Sequence, residues 1–175
     1  MDNPYQAPHA ELLINDSGNA LKDVFQRFST WYVFILSILT LGLYVIYWMY
    51  SRTRSLNRLQ GIEPISEVFI LVAVAWNIVS YPLAFAEEFW QFSAELLLAS
   101  TVFNIAASVL LLVWAFMFRS RLNLFLADSP LPSSRLGGVM TFFFQSLYLS
   151  YKINENLELT ELPAAGADTA TAEAD

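Results

Sequence analysis

The sequence contains no cysteine, which excludes disulfides, thiolate metal sites and thiol chemistry. It contains one histidine, His9, in a polar N-terminal stretch, so acid–base and metal chemistry have almost nothing to build on. Charge is scarce: Asp, Glu, Lys and Arg together are 14% of the chain, against about 25% in a soluble domain. Basic residues are scarcest, with 9 Lys and Arg against 16 Asp and Glu and a net charge of -7. Phosphate neutralisation needs clustered Lys and Arg, so a nucleic-acid partner is excluded. What fills the 175 residues is apolar: 56% hydrophobic and 15% aromatic types, with a mean hydropathy of +0.46.

The apolar residues fall into four runs without a charged residue, Trp31–Tyr50, Val68–Ala86, Leu96–Phe118 and Leu136–Tyr151. Roughly 20 such residues at about 1.5 Å each cross a hydrocarbon core of about 30 Å. The expected fold is therefore all-α, a polytopic membrane protein built as a four-helix transmembrane bundle with spans near 31–50, 68–86, 96–118 and 136–151. The fourth run is short, and a helix lying in the interface is its alternative. Leu21, Val24, Phe25 and Phe28 recur at helical spacing before the first run, which predicts a short amphipathic helix at the headgroup level. Helices 1 and 3 should outrun the membrane, to stops at Gly61 and at Asp128-Ser129-Pro130, with Ser93 and Ser134 as N-caps of helices 3 and 4. Residues 19–156 form the transmembrane domain. Residues 1–18, with two prolines and no periodicity, and the acidic stretch 157–175 read as disordered tails, and no cleavable signal peptide is expected. A polyproline II docking handle is the alternative for the first ten residues.

With four spans, the loops after helices 1 and 3 share a side. They carry Arg52, Arg54, Arg58, Arg119, Arg121 and Arg135, against Lys22, Arg27 and Lys152 on the other side. The positive-inside rule then predicts cytoplasmic arginine loops and both termini outside. Lys22 and Arg27, on a helix suited to an anionic inner leaflet, argue the reverse. Arg52, Arg54, Arg58, Arg119 and Arg121 are candidate contacts for anionic phospholipid, at about 1 kcal/mol each, although topology determination alone would also explain them. Trp31, at the entry of helix 1, and Tyr47 and Trp48, at its exit, are candidate interface anchors. Gly42 would let a neighbouring helix approach closely.

The segment Thr40-Leu41-Gly42-Leu43-Tyr44-Val45-Ile46-Tyr47-Trp48, followed by an arginine-rich turn and Leu56-Asn57, resembles the membrane family catalogued as domain of unknown function 4234. Leu147-Tyr148-Leu149-Ser150-Tyr151-Lys152-Ile153-Asn154 is similar to that family's closing motif. The resemblance covers roughly Phe28 to Asn154. It implies a protein of the bacterial inner membrane and carries no activity with it. Thr40, Tyr47 and Tyr50 also match Thr141, Tyr148 and Tyr151 at a constant offset, a faint internal repeat.

No Asp, Glu, Lys, Arg or His lies inside the four runs, where coupled carriers place ionisable groups. Serines occur there without a histidine to activate them. Glu87 and Glu88 are adjacent and point apart on a helix. No catalytic residue, metal site or cofactor is expected. The expected role is non-enzymatic: an interaction, assembly or regulatory protein with the bilayer and a membrane protein or a second copy as partners. The alternative is binding or passage of a small solute or lipid by an oligomer. The short connection Glu87–Glu95 makes helices 2 and 3 antiparallel neighbours. Equal depths then have a constant position sum, which pairs Asn77 with Asn104, Ala73 with Ser108 and Ser80 with Ser100 or Thr101. The Asn77 and Asn104 side chains are expected to hydrogen-bond across that interface, flanked by Ser80 and Ser108.

Overall fold

The computed structural model describes residues 19–128 and 134–160. Every regular element among them is helical: α1 over residues 19–24, α2 Thr30–Leu39, α3 Leu43–Leu56, α4 Glu67–Glu87, α5 Ala94–Asp128 and α6 Gly138–Leu159. The stretches 1–18 and 161–175, where disorder is expected, lie outside the described residues. Helix continues to Leu159, beyond the expected boundary at Asn156.

The two middle helices follow the expected limits closely. Ser66 caps α4, its side chain accepting from the Phe69 backbone N–H, and Glu67 sits in the first turn, where the helix dipole favours an anion. The Ser93 hydroxyl accepts from the Leu96 N–H at the start of α5. The two helices are antiparallel neighbours, with Trp76 stacked on Phe103 at 4.3 Å and its indole N–H donating to the Phe103 carbonyl. α5 has 35 residues, about 52 Å at about 1.5 Å each, which is longer than the roughly 30 Å of a bilayer core. Among the described residues these are the two helices long and apolar enough to cross a membrane.

The first and fourth runs differ from expectation. Residues 31–50 are not one helix. α2 ends at Leu39 in a Schellman turn: the Gly42 N–H reaches Ser37 O and the Leu41 N–H reaches Ile38 O, with Leu41 at φ 51 and Gly42 at φ 94. The Thr40 hydroxyl accepts the Tyr44 N–H and opens α3. The chain then runs back on itself, because Arg52 of α3 hydrogen-bonds the Gln26 carbonyl just before α2. In a straight helix those residues would be about 39 Å apart.

α6 reverses in the same way. Its backbone leaves helical geometry at Gln145, at φ 31 and ψ -110. Gly138 lies against Phe116 and Arg119 of α5, whereas Phe142 and Gln145 share a groove with Thr101–Leu112. Asn154 is back beside Phe28, near Phe25, whose ring stands edge-on to Phe118. Asn156 bonds both backbone groups of Ser134. The helix therefore begins at Gly138 with Gly137 before it, and Ser134 is a clamped residue rather than its N-cap. Both reversals are helical hairpins, and their open ends lie at the same end of the α4–α5 pair.

The core sits at those open ends. Trp48, Trp114 and Phe118 form an aromatic cluster with ring separations of 5.6–6.4 Å. Trp114 donates its indole N–H to Thr53 at 2.8 Å. Leu21 and Phe25 are buried in this core with Leu122 and Leu126, so the N-terminal amphipathic face packs on protein, where a headgroup-level helix was expected.

Candidate functional site: the polar end of two helical hairpins

Four asparagines organise this end, each as a two-pronged clamp. The carboxamide oxygen accepts a backbone N–H and the amide nitrogen donates to the carbonyl of the same residue. Asn57 clamps Ile65 at 2.9 and 2.8 Å. Asn123 clamps Leu136 at 2.8 and 3.0 Å. Asn154 clamps Phe28 at 3.3 and 2.8 Å, and Asn156 clamps Ser134 at 2.9 and 3.1 Å. Each clamped residue lies outside regular helix, where its backbone groups have no helical partner. The sequence signal was present in Leu56-Asn57 and at Asn154, but an asparagine's partner in a distant loop is not written in local spacing.

The arginines divide into anchored and open. Arg52 lies over the Trp48 ring at 5.9 Å and bonds Gln26 O. Its burial pulls the guanidinium below the usual arginine value, with Tyr44 and Tyr47 opposing the shift. Arg119 donates to Leu136 O at 2.8 Å, and Arg121 pairs with Glu63 at 2.9 Å. Arg54 and Arg58 are exposed and line a hollow of about 300 Å³ with Tyr50, Asn57 and Glu67. Of the five candidate lipid contacts, these two best keep their charge turned outward.

Of the expected interface anchors, Trp31 and Tyr47 are exposed. Trp48 is not an anchor: it is 2% exposed and belongs to the aromatic core, because the chain reversal turns its face of α3 inward. The expected polar contact also takes a different register. Asn104 pairs with the Ser80 hydroxyl. Asn77 instead donates to Ala73 O of its own helix at 2.8 Å, and Ser108 donates to Asn104 O at 3.0 Å. A constant sum assumes parallel axes and equal turns, and Pro82 within α4 breaks the hydrogen-bond ladder near Ser80.

A second feature lies on the flank of α5. Thr101, Asn104 and Ser108 line a groove of about 490 Å³ with Glu87 and Gln145. One carboxylate oxygen of Glu87 is buried without a hydrogen-bond partner.

No curated protein and no solved structure gives a significant match. The model of a family described as a domain of unknown function, DUF4234, matches residues 28–124. That stretch starts at the clamped Phe28, takes in the first hairpin with its Thr40, Gly42 and Trp48, and ends beside the clamp Asn123 on α5. Matched over more than half its length, the chain belongs to the DUF4234 family.

Proposed function

We propose that the chain is a non-enzymatic integral protein of the bacterial inner membrane that serves interaction or assembly at the cytoplasmic face. It crosses the bilayer twice, with α4 and α5, and dips into it twice more from the cytoplasm, with the α2–α3 and α6 hairpins. The carrying observation is the position of the basic residues. Lys22, Arg27, Arg52, Arg54, Arg58, Arg119, Arg121, Arg135 and Lys152 are all nine Lys and Arg in the chain. All lie at the open ends of the hairpins or in the loops there. The connection at the other end holds Glu87, Glu88 and Glu95 and no basic residue. Nine against none favours termini in the cytoplasm, the reverse of the four-span expectation.

The surface supports this reading. The most apolar windows of α4 and α5 are only 22% and 11% buried, and an apolar area that large is not left to water by a soluble monomer. The hairpin tips are apolar as well: Leu39 and Leu41 are exposed on one, Phe142, Phe143 and Phe144 on the other. At the first tip the backbone N–H groups of residues 40–45 are all bonded within the turn, as irregular backbone in hydrocarbon requires.

Single cysteines test the topology in a chain that has none of its own. Cysteine at Gln26, Gln60 or Ser120 should stay silent to an impermeant thiol reagent outside spheroplasts, and cysteine at Glu88 should react. Labelling at Gln26 but not at Gln60 would restore four spans.

The flank groove favours a second reading, binding of a lipid or small solute. It rests on the unpartnered Glu87 oxygen beside a row of hydroxyl and amide groups. Under it, Glu87→Gln with Asn104→Leu releases a molecule that mass spectrometry finds retained by the native protein. Unchanged retention contradicts it.

A further inference from the structure

The same topology makes the molecule unequal across the bilayer. In the leaflet nearer the termini lie six helical limbs: α2, α3, α4, α5 and the two arms of α6. The α2–α3 hairpin passes the midplane, and over the last 9 Å or so of α4 only α4 and α5 remain. The first tip stops where Gly42 meets Tyr81, six residues before the end of α4, about 9 Å short. The first arm of α6, Gly138 to Gln145, is about 10 Å long and starts beside Phe116 and Arg119, so its tip stops midway along α5, in the groove that Thr101–Leu112 and Glu87 line. Burial tapers accordingly. The side chains of Trp48, Trp114, Phe118 and Leu122 are buried at the near end, whereas no residue between Ser80 and Ser100 is buried. With helices about 10 Å across, the four extra limbs add on the order of 300 Å² to the cross-section at the near end that the far end lacks.

We propose that the fold acts as a membrane wedge: it concentrates in, and at high density produces, bilayer whose termini-bearing leaflet is on the outside of the bend. Its ligand is the lipid surface itself, read by curvature. In a cell that is membrane bulging toward the cytoplasm. The inference rests on the two-span, two-hairpin reading.

The test uses the full chain with cysteine at Gln60 in phosphatidylethanolamine/phosphatidylglycerol vesicles. One proteoliposome stock is extruded through successively smaller pores, and the fraction of Gln60→Cys protein reached by an impermeant thiol reagent is measured at each size. The wedge predicts that the ratio of reached to unreached protein rises several-fold as diameter falls, because small vesicles favour molecules with their wide end outward. Protein with cysteine at Glu88 should show the opposite trend. A fraction independent of diameter overturns the wedge, including the case in which a second copy fills the narrow end. Cysteines at Gln26 and Gln60 measured in the same vesicles separate the two failures. If they label together and show no size dependence, the topology stands and the wedge falls. If they label from opposite sides, both fall.

Discussion

At the residue scale, stability is concentrated in groups that serve loop backbone. An asparagine clamp satisfies one donor and one acceptor that water cannot easily reach. Asn154→Ala and Asn123→Ala should each lower stability by about 1–3 kcal/mol, measured by denaturant unfolding in detergent, with exposed Ser120→Ala as a control that changes little. Loss no greater than the control would show that the clamped loops are held by packing alone. Leu41 is a different case. A left-handed leucine costs roughly 1–2 kcal/mol, so Leu41→Gly should stabilise the protein despite the lost side chain. Gly42→Ala should do the reverse, because φ is 94° and the added methyl would sit 2.7 Å from the Tyr81 hydroxyl. Gly42→Ala combined with Tyr81→Leu should recover only the part due to that contact. Equal stability of Gly42→Ala and native protein would mean that the turn is not formed.

At the element scale, the legible parts were those decided locally. The limits expected for the second and third runs, 68–86 and 96 onward, differ by one or two residues from α4 and α5, because an apolar run with a serine cap has one low-energy answer. The continuation of α5 beyond its apolar run was legible too, from Arg119 to the stop at Asp128. The hairpins were not. A helix stop is usually announced by glycine at the first left-handed position, and here leucine occupies it with glycine one place later. Gln145 carries no stop signal at all. In water the run Trp31–Tyr50 would have no reason to break, and tertiary contacts that no local spacing encodes hold the reversal: Arg52 with Gln26, and Trp48 with Trp114. The candidate contact between α4 and α5 was legible as a polar seam of Asn and Ser, but not in its register. Asn104→Leu should cost about 0.5–2 kcal/mol through the lost Ser80 partner, and Asn104→Leu in a Ser80→Ala background should cost less. Strictly additive losses in that cycle would contradict the pairing.

At the scale of the whole molecule, one asymmetry runs through charge, packing and cross-section: the basic residues, the buried core and the extra helical limbs share one end. The outward-turned arginines belong there. Arg54→Gln with Arg58→Gln should reduce copurified anionic phospholipid, at roughly 1 kcal/mol per arginine near a charged surface, without changing thermal stability. Arg119→Gln should instead lower stability, because its bond to Leu136 O is lost. If Arg54→Gln with Arg58→Gln leaves the lipid profile unchanged, those residues serve topology only.

The reversal of the chain at Thr40–Gly42 underlies all of this, and a distance measures it directly. Spin labels at cysteines replacing Ser29 and Arg54, in protein reconstituted into a bilayer, report the separation by pulsed electron resonance. Antiparallel limbs packed at about 8–10 Å predict a distribution centred below about 20 Å. A single straight span predicts about 38 Å, from roughly 25 residues at about 1.5 Å each, and a distribution centred there would contradict the hairpin and the topology built on it.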